Sequence, residues 1–172
     1  MLSRALRLLV LGAAASLANA GVGPAWAQDD ELEAMATALK DTTFTLQDAL
    51  KVGEREGQPI SAQFEIDDGK LQISIYTTKG DDFSEVVADP KTGAVVKTEK
   101  ITDTDELNDA ADQKAAIAKA KNSLVAAADA AVKENSGFRA VSIFPDLRDG
   151  HAIAEVTLLQ GTTAKKVTEK LD

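Results

Sequence analysis

Between Pro59 and Gly80 the chain keeps a strict two-residue rhythm. Ile60, Ala62, Phe64 and Ile66 alternate with Ser61, Gln63 and Glu65. After Asp67-Asp68-Gly69, the residues Leu71, Ile73 and Ile75 alternate with Gln72, Ser74 and Tyr76. Only an extended strand has a side-chain period of two, so each run has one apolar face and one polar face. Asp-Gly suits the positive φ angles of a two-residue hairpin turn, which makes the two runs neighbours. The rhythm therefore predicts a hairpin with a wet face of Gln72, Ser74 and Tyr76. Its apolar face needs a cover.

The segment just before it supplies one. In TLQDALKVGEREG, Thr45 and Asp48 have the spacing of a capping box, which satisfies free N–H groups at a helix start. Leu46, Ala49, Leu50 and Gly53 then fall on one helical face, and Gly57 and Pro59 end the helix. Downstream, Lys79-Gly80-Asp81 is a turn and Phe83 to Ala88 a third strand. The pentapeptide Asp89-Pro90-Lys91-Thr92-Gly93 follows. Proline presets φ for a turn, aspartate bonds the backbone ahead of it, and glycine takes the left-handed position. Ala94 to Ile101 is a fourth strand.

Asp103 to Asn135 is alanine-rich and helical, with Asp103 and Glu106 at its start and a break at Asn122-Ser123, where Ser123 can cap a second helix. Period two returns with Val141 and Ile143, bends at Pro145 and turns at Asp149-Gly150. Ala152, Ala154, Val156 and Leu158 mark the next strand. Gln160-Gly161 turns the chain into Ala164 to Leu171. Both halves thus read helix, strand, Asp-Gly turn, strand, turn, strand, the order expected of a duplication.

The amino terminus has Arg4 and Arg7, an apolar run, then Ala25-Trp26-Ala27. That order is a secretory signal with cleavage between Ala27 and Gln28. Such a leader directs the chain to the periplasm or the exterior. No cysteine follows the apolar run, so no lipid anchor is expected, and no later stretch is long and apolar enough to span a bilayer. The chain has 19 Lys+Arg against 28 Asp+Glu, a net charge of −9 that grows more negative once Arg4 and Arg7 leave. Such a surface disfavours nucleic acid and anionic lipid. With no cysteine, packing alone must hold the fold.

The inventory of reactive groups is short. Nucleophilic catalysis needs a nucleophile beside a base. The single histidine, His151, sits at a hairpin corner, where an exposed turn residue is expected. Zinc needs several His or Cys ligands. Asp67-Asp68 and Asp81-Asp82 are read as solvated turn acids. The sequence therefore predicts no catalytic residue, no metal site and no cofactor, and hence no enzyme.

One resemblance joins these parts. The capped helix, the alternating hairpin and FSEVVADPKTGAVVK together resemble the PepSY domain, over residues 44–102. The most specific match is Val86 to Val96, with Asp89, Pro90, Thr92 and Gly93 as the turn motif. Residues 123–172 resemble a degenerate second unit without that turn. The resemblance implies an exported α+β module, similar to part of the pro-segments of thermolysin-like metallopeptidases and linked there to peptidase inhibition. It brings no catalytic residue. The expected organisation is a signal peptide (1–27), an N-terminal segment (28–43), a PepSY domain (44–102), a helical linker (103–122) and the degenerate unit (123–172). The expected fold is α+β: small antiparallel sheets, each packed against a helix, in two PepSY-like units joined by the alanine-rich helix. The expected function is non-catalytic binding of an exported peptidase or another envelope protein, through the wet face at Gln72, Ser74 and Tyr76 or through a sheet edge. The alternative is an envelope accessory or sensory protein that binds a small ligand or cation. The oligomeric state stays open at this level.

Overall fold

The computed structural model describes residues 25–172. Most of the expected signal segment lies outside them; the expected cleavage point at Ala27 and Gln28 falls in the first turn of helix α1 (Ala25–Ala38). A 3-10 turn (Leu39–Asp41) leads to α2 (Leu46–Gly53), then β1 (Gln58–Asp67), β2 (Lys70–Lys79), β3 (Asp82–Ala88) and β4 (Val95–Lys100). Helices α3 (Thr104–Lys119) and α4 (Leu124–Glu134) follow, then β5 (Arg139–Arg148), β6 (His151–Gln160) and β7 (Thr163–Lys170).

Local chemistry places these elements where their residues ask. The Thr45 side chain accepts from the Asp48 N–H at 3.1 Å, while Asp48 accepts from the Thr45 N–H at 3.2 Å, so the capping box of α2 is complete. Asp103 caps α3 by accepting from the N–H groups of Asp105 and Glu106. Ser123 caps α4 through the Ala126 N–H. In the two Asp-Gly turns, Asp68 and Asp149 join Gly69 and Gly150 at positive φ, the backbone a two-residue hairpin requires.

The expectation of two small sheets is overturned. All seven strands form one antiparallel sheet in the order β4-β3-β2-β1-β5-β6-β7. The joint lies between the first strands of the two halves, where Ala62 pairs with Ile143 and Gln63 with Ser142. Each half would otherwise leave its first strand as an unpaired edge, and pairing the two edges satisfies both. Helices α2 and α4 also touch, with Gln47 donating to Asp129 at 3.0 Å. One continuous core results. It runs from Leu46, Leu50 and Ile75 through Phe64 and Ile143 to Ala128, Val156 and Leu158.

The alanine-rich helix does not act as a simple spacer between two bodies. Helix α3 packs on the sheet face opposite α2, where Ser61 donates to the Gln113 side chain at 2.7 Å. A second apolar cluster forms beneath it from Ile60, Tyr76, Phe83, Ile101 and Ala110. Ile60 belongs there because the β1–β2 register slips between Pro59 and Ser61. Such a bulge adds one residue to its strand and breaks the alternation. Ile60 is thereby taken out of the phase of Ala62 and Phe64.

Candidate functional site

The wet face expected at Gln72, Ser74 and Tyr76 is not an open surface. Ser74 is fully buried and Tyr76 is 8 % exposed, with Ser61 and Gln63 buried beside them. Glu65 gathers this polar patch, accepting from Gln72 at 2.6 Å and from Ser74 at 2.5 Å. Tyr76 bonds the Gln63 side chain; burial pushes its phenol above the ordinary value, and Glu85, Glu65 and Glu106 add to the rise. Buried polar groups are retained when their partners are present. Ser61 and Tyr76 thus lie under α3, Ser74 is tied to a half-exposed Glu65, and the face is not the open surface expected.

The Asp-Pro-Lys-Thr-Gly motif is a turn, and it is also an anchor. Asp89 Oδ1 accepts from the Lys91 N–H at 3.0 Å, the Thr92 N–H at 2.8 Å and the Thr92 hydroxyl at 2.9 Å. The Thr92 backbone and hydroxyl bonds, with that of Lys91, hold the Asp89 carboxyl below the usual carboxylate value. Gly93 has φ +69°, and a Cβ there would lie 2.5 Å from the Phe44 ring. Only glycine suits both the angle and the approach. The Thr42 hydroxyl donates to the Pro90 carbonyl on the same side. Thr42 and Phe44, which enter α2, thus rest on this turn.

The same entry segment is gripped from the other half of the chain. Arg139 donates to the carbonyls of Leu39, Thr42 and Phe44, and its guanidinium lies 5.0 Å from the centre of the Phe64 ring. Its Nε is buried without a hydrogen-bond partner. Among the described residues no carboxylate is hydrogen-bonded to it; the cation is matched to carbonyl dipoles and an aromatic face. Nothing in the local pattern around Arg139 marks this role, because its partners lie about a hundred positions away.

Beyond the turn, β4 is the exposed edge of the sheet. All six of its residues are exposed. Among the described residues, the exposed large hydrophobic side chains are its first two, Val95 at 41 % and Val96 at 68 %. Ile101, just after the strand, donates its N–H to Phe83 and turns its side chain into the second cluster. The other edge, β7, mixes half-buried residues with the exposed Thr163, Lys166, Thr168 and Lys170. The last aliphatic residue, Leu171, is fully buried, and its carbonyl accepts from the N–H groups of Lys121 and Asn122.

Two further features complete the surface. A groove of about 580 Å³ lies where the halves meet, between Leu50, Glu54 and Pro59 on one side and Ile117, Lys121 and Leu124 on the other. His151, expected as an exposed turn residue, is exposed at the start of β6 and pairs with Asp172 at 2.6 Å. Asp81 and Asp82 pair with Lys114 and Lys100. Among the described residues no three His, Cys, Asp or Glu side chains are grouped to hold a metal ion, and no helix is long and apolar enough to cross a membrane.

No family model and no curated protein matches the chain. Among solved structures, it is similar to a crystal structure of a "putative lipoprotein" from Clostridium difficile 630. The two share 17% identity over 77% of this chain and 89% of that chain, with a TM-score of 0.43.

Proposed function

We propose that the chain is an exported, non-catalytic binding module of the PepSY type, whose β4 edge receives an extended segment of another exported protein. The exposed edge carries this reading. An edge strand offers a row of outward N–H and C=O groups, and an extended peptide adds to it as a further strand. Val95 and Val96 give that added strand an apolar place to rest, while the other large apolar side chains among the described residues are at least partly covered. The turn motif that carries the family resemblance sets the start of this edge, since the Asp89 N–H donates to the Ala94 carbonyl at 2.9 Å. By the same resemblance, the partner is a peptidase of the thermolysin-like class. The duplication of the helix–hairpin unit and the signal peptide belong to this reading as well.

The test is turnover of a secreted thermolysin-like peptidase with Gln28–Asp172 added, against the same chain carrying Thr98→Pro. Proline removes one edge N–H, and circular dichroism checks the fold. Slower turnover with the native edge and restored turnover with the variant is the expected result. Equal turnover with and without the native chain, at concentrations up to about 100 μM, would remove the peptidase from the reading. The groove of about 580 Å³ supports a second reading, a small amphipathic ligand, since its volume falls in the range of ligand pockets. A ligand-induced rise in melting temperature that Leu124→Arg abolishes would favour it.

A further inference from the structure

We infer that the β4 edges of two copies pair antiparallel about a two-fold axis at Thr98, joining two seven-stranded sheets into one. The inference rests on the reading of β4 as the binding edge and names a second copy of this chain as an occupant. Its first support is the hydrogen-bond pattern. The Ile101 N–H donates inward to the Phe83 carbonyl at 3.0 Å. Inward and outward residues alternate in an antiparallel ladder, so Lys100 and Thr98 turn their N–H and C=O groups outward. Outward residues must face outward residues on the added strand. That requirement leaves only registers centred on a residue, never between two residues.

Charge then selects among these. Centring the axis on Lys97 sets lysine opposite lysine, centring it on Glu99 sets glutamate opposite glutamate, and centring it on Lys100 again opposes two lysines. Like charges directly opposite destabilise a strand pair. Lys97 lies 2.5 Å from Glu99 of its own strand, and centring on Thr98 sets two such pairs together, with Lys97 of each copy opposite Glu99 of the other, twice over. It also makes Thr98 a doubly bonded pair at the axis, with Lys100 facing Val96 on either side. The aliphatic stem of Lys100 then covers part of the exposed valine. Val96 is the extra residue of the β3–β4 register slip, since Val87 pairs with Lys97 and Ala88 with Val95. The regular edge is therefore short, Lys97 to Lys100, which limits the area buried.

The β7 edge is less free to use its charges. An axis at Thr168 would set Val167 against Glu169, and one at Val167 would set Lys165 against Glu169 twice. Lys165, however, bonds Asn135 and lies over the Phe138 ring, and Lys166 lies 3.9 Å from Glu155, whereas Lys97 pairs along its own strand with Glu99 and Lys100 with Asp82. A β4–β7 pairing gives one opposed Lys–Glu pair where β4–β4 gives two. Two copies joined through so short an edge bury less than a standard interface. The dimer should be weak, with a dissociation constant on the order of 100 μM. In the dimer the edge is occupied, so a partner's segment must compete with the second copy.

Sedimentation equilibrium up to about 1 mM chain tests the inference with two exposed charge variants. Lys97→Glu leaves two glutamates and Glu99→Lys two lysines at these positions. Each variant alone should associate about tenfold or more weakly than the native chain. An equimolar mixture should regain the native association, because only the mixed pair restores both opposed charges. A native chain that stays monomeric at about 1 mM would overturn the inference, as would single variants that dimerise as well as the native chain, or a mixture that fails to recover. The binding-module reading is scored separately, by peptidase turnover with the monomeric variants. Slowed turnover without any dimer removes only the pairing of copies; a dimer without slowed turnover removes only the peptidase.

Discussion

The two edges of the sheet end in nearly the same words. β4 closes on Thr98-Glu99-Lys100-Ile101 and β7 on Thr168-Glu169-Lys170-Leu171. In both, the final aliphatic residue donates its N–H to the neighbouring strand, Ile101 to Phe83 and Leu171 to Ala152, and buries its side chain. The strands in front of these anchors are treated differently. β7 is held by α4 and by side-chain bonds to its own molecule, whereas β4 lies exposed along its whole length. An identical anchor thus serves a fastened edge and an open one. What decides exposure is the helix placement: α4 lies over β5, β6 and β7, while α3 starts beside Phe83 and Ile101 and runs over β1, β5 and β6, which leaves β4 uncovered.

The anchors give the largest expected effect. Leu171→Ala should cost about 2–5 kcal/mol, the range for a fully buried leucine whose site cannot collapse. Ile101→Ala should cost less, at the lower end of that range, because it removes packing from the smaller cluster. Denaturant unfolding of both variants measures the difference. A Leu171→Ala cost below that of Ile101→Ala would show that the β7 edge is held by its side-chain bonds instead of its terminal anchor.

A somewhat smaller effect is expected where the halves are stitched together. Arg139→Met keeps bulk but removes three charge-assisted bonds, leaving the carbonyls of Leu39, Thr42 and Phe44 without that donor. Bonds to charged groups and newly orphaned acceptors each count for about 1–3 kcal/mol, not additively, so a loss of about 2–3 kcal/mol is expected. Hydrogen exchange locates it: residues 39–45 should lose protection before the strands do. Uniform loss across both halves would mean that Arg139 supports the β1–β5 joint and not the entry segment.

Much of this was legible in local chemistry. The capping box at Thr45 and Asp48, the Ser123 cap and both Asp-Gly turns depend on residues a few positions apart, and each stands where the sequence put it. The joint between β1 and β5 was not legible, because alternation says which face a side chain takes and nothing about which strand lies alongside. The same blindness turned Ser74 and Tyr76 into an apparent surface. Polar residues on a strand look wet until a helix with its own polar group arrives, and Gln113 is that group. A signal was present, since Ala110, Gln113 and Ala116 recur every three residues along one side of α3. It gives no hint of which sheet face that side meets. Charge pairs across β4 are legible only once the edge is known to be open.

The smallest effect belongs to the turn that opens β4, which the second half lacks. Bonds from Thr92 and Lys91 hold the Asp89 carboxyl below its usual value of 3.8. A carboxyl with a depressed folded value contributes stability that is fully present above its unfolded value. That contribution fades as pH falls through the folded value. Asp89→Asn keeps an oxygen that accepts the same three bonds and removes the charge. The native chain should therefore melt slightly above the variant near neutral pH, and the gap should close as pH falls below 3.8 and through the lowered folded value. Paired melting curves across that interval measure it. A gap that stays constant with pH would assign the role of Asp89 to the shape of its bonds alone. The start of the open edge would then owe nothing to the carboxylate's charge.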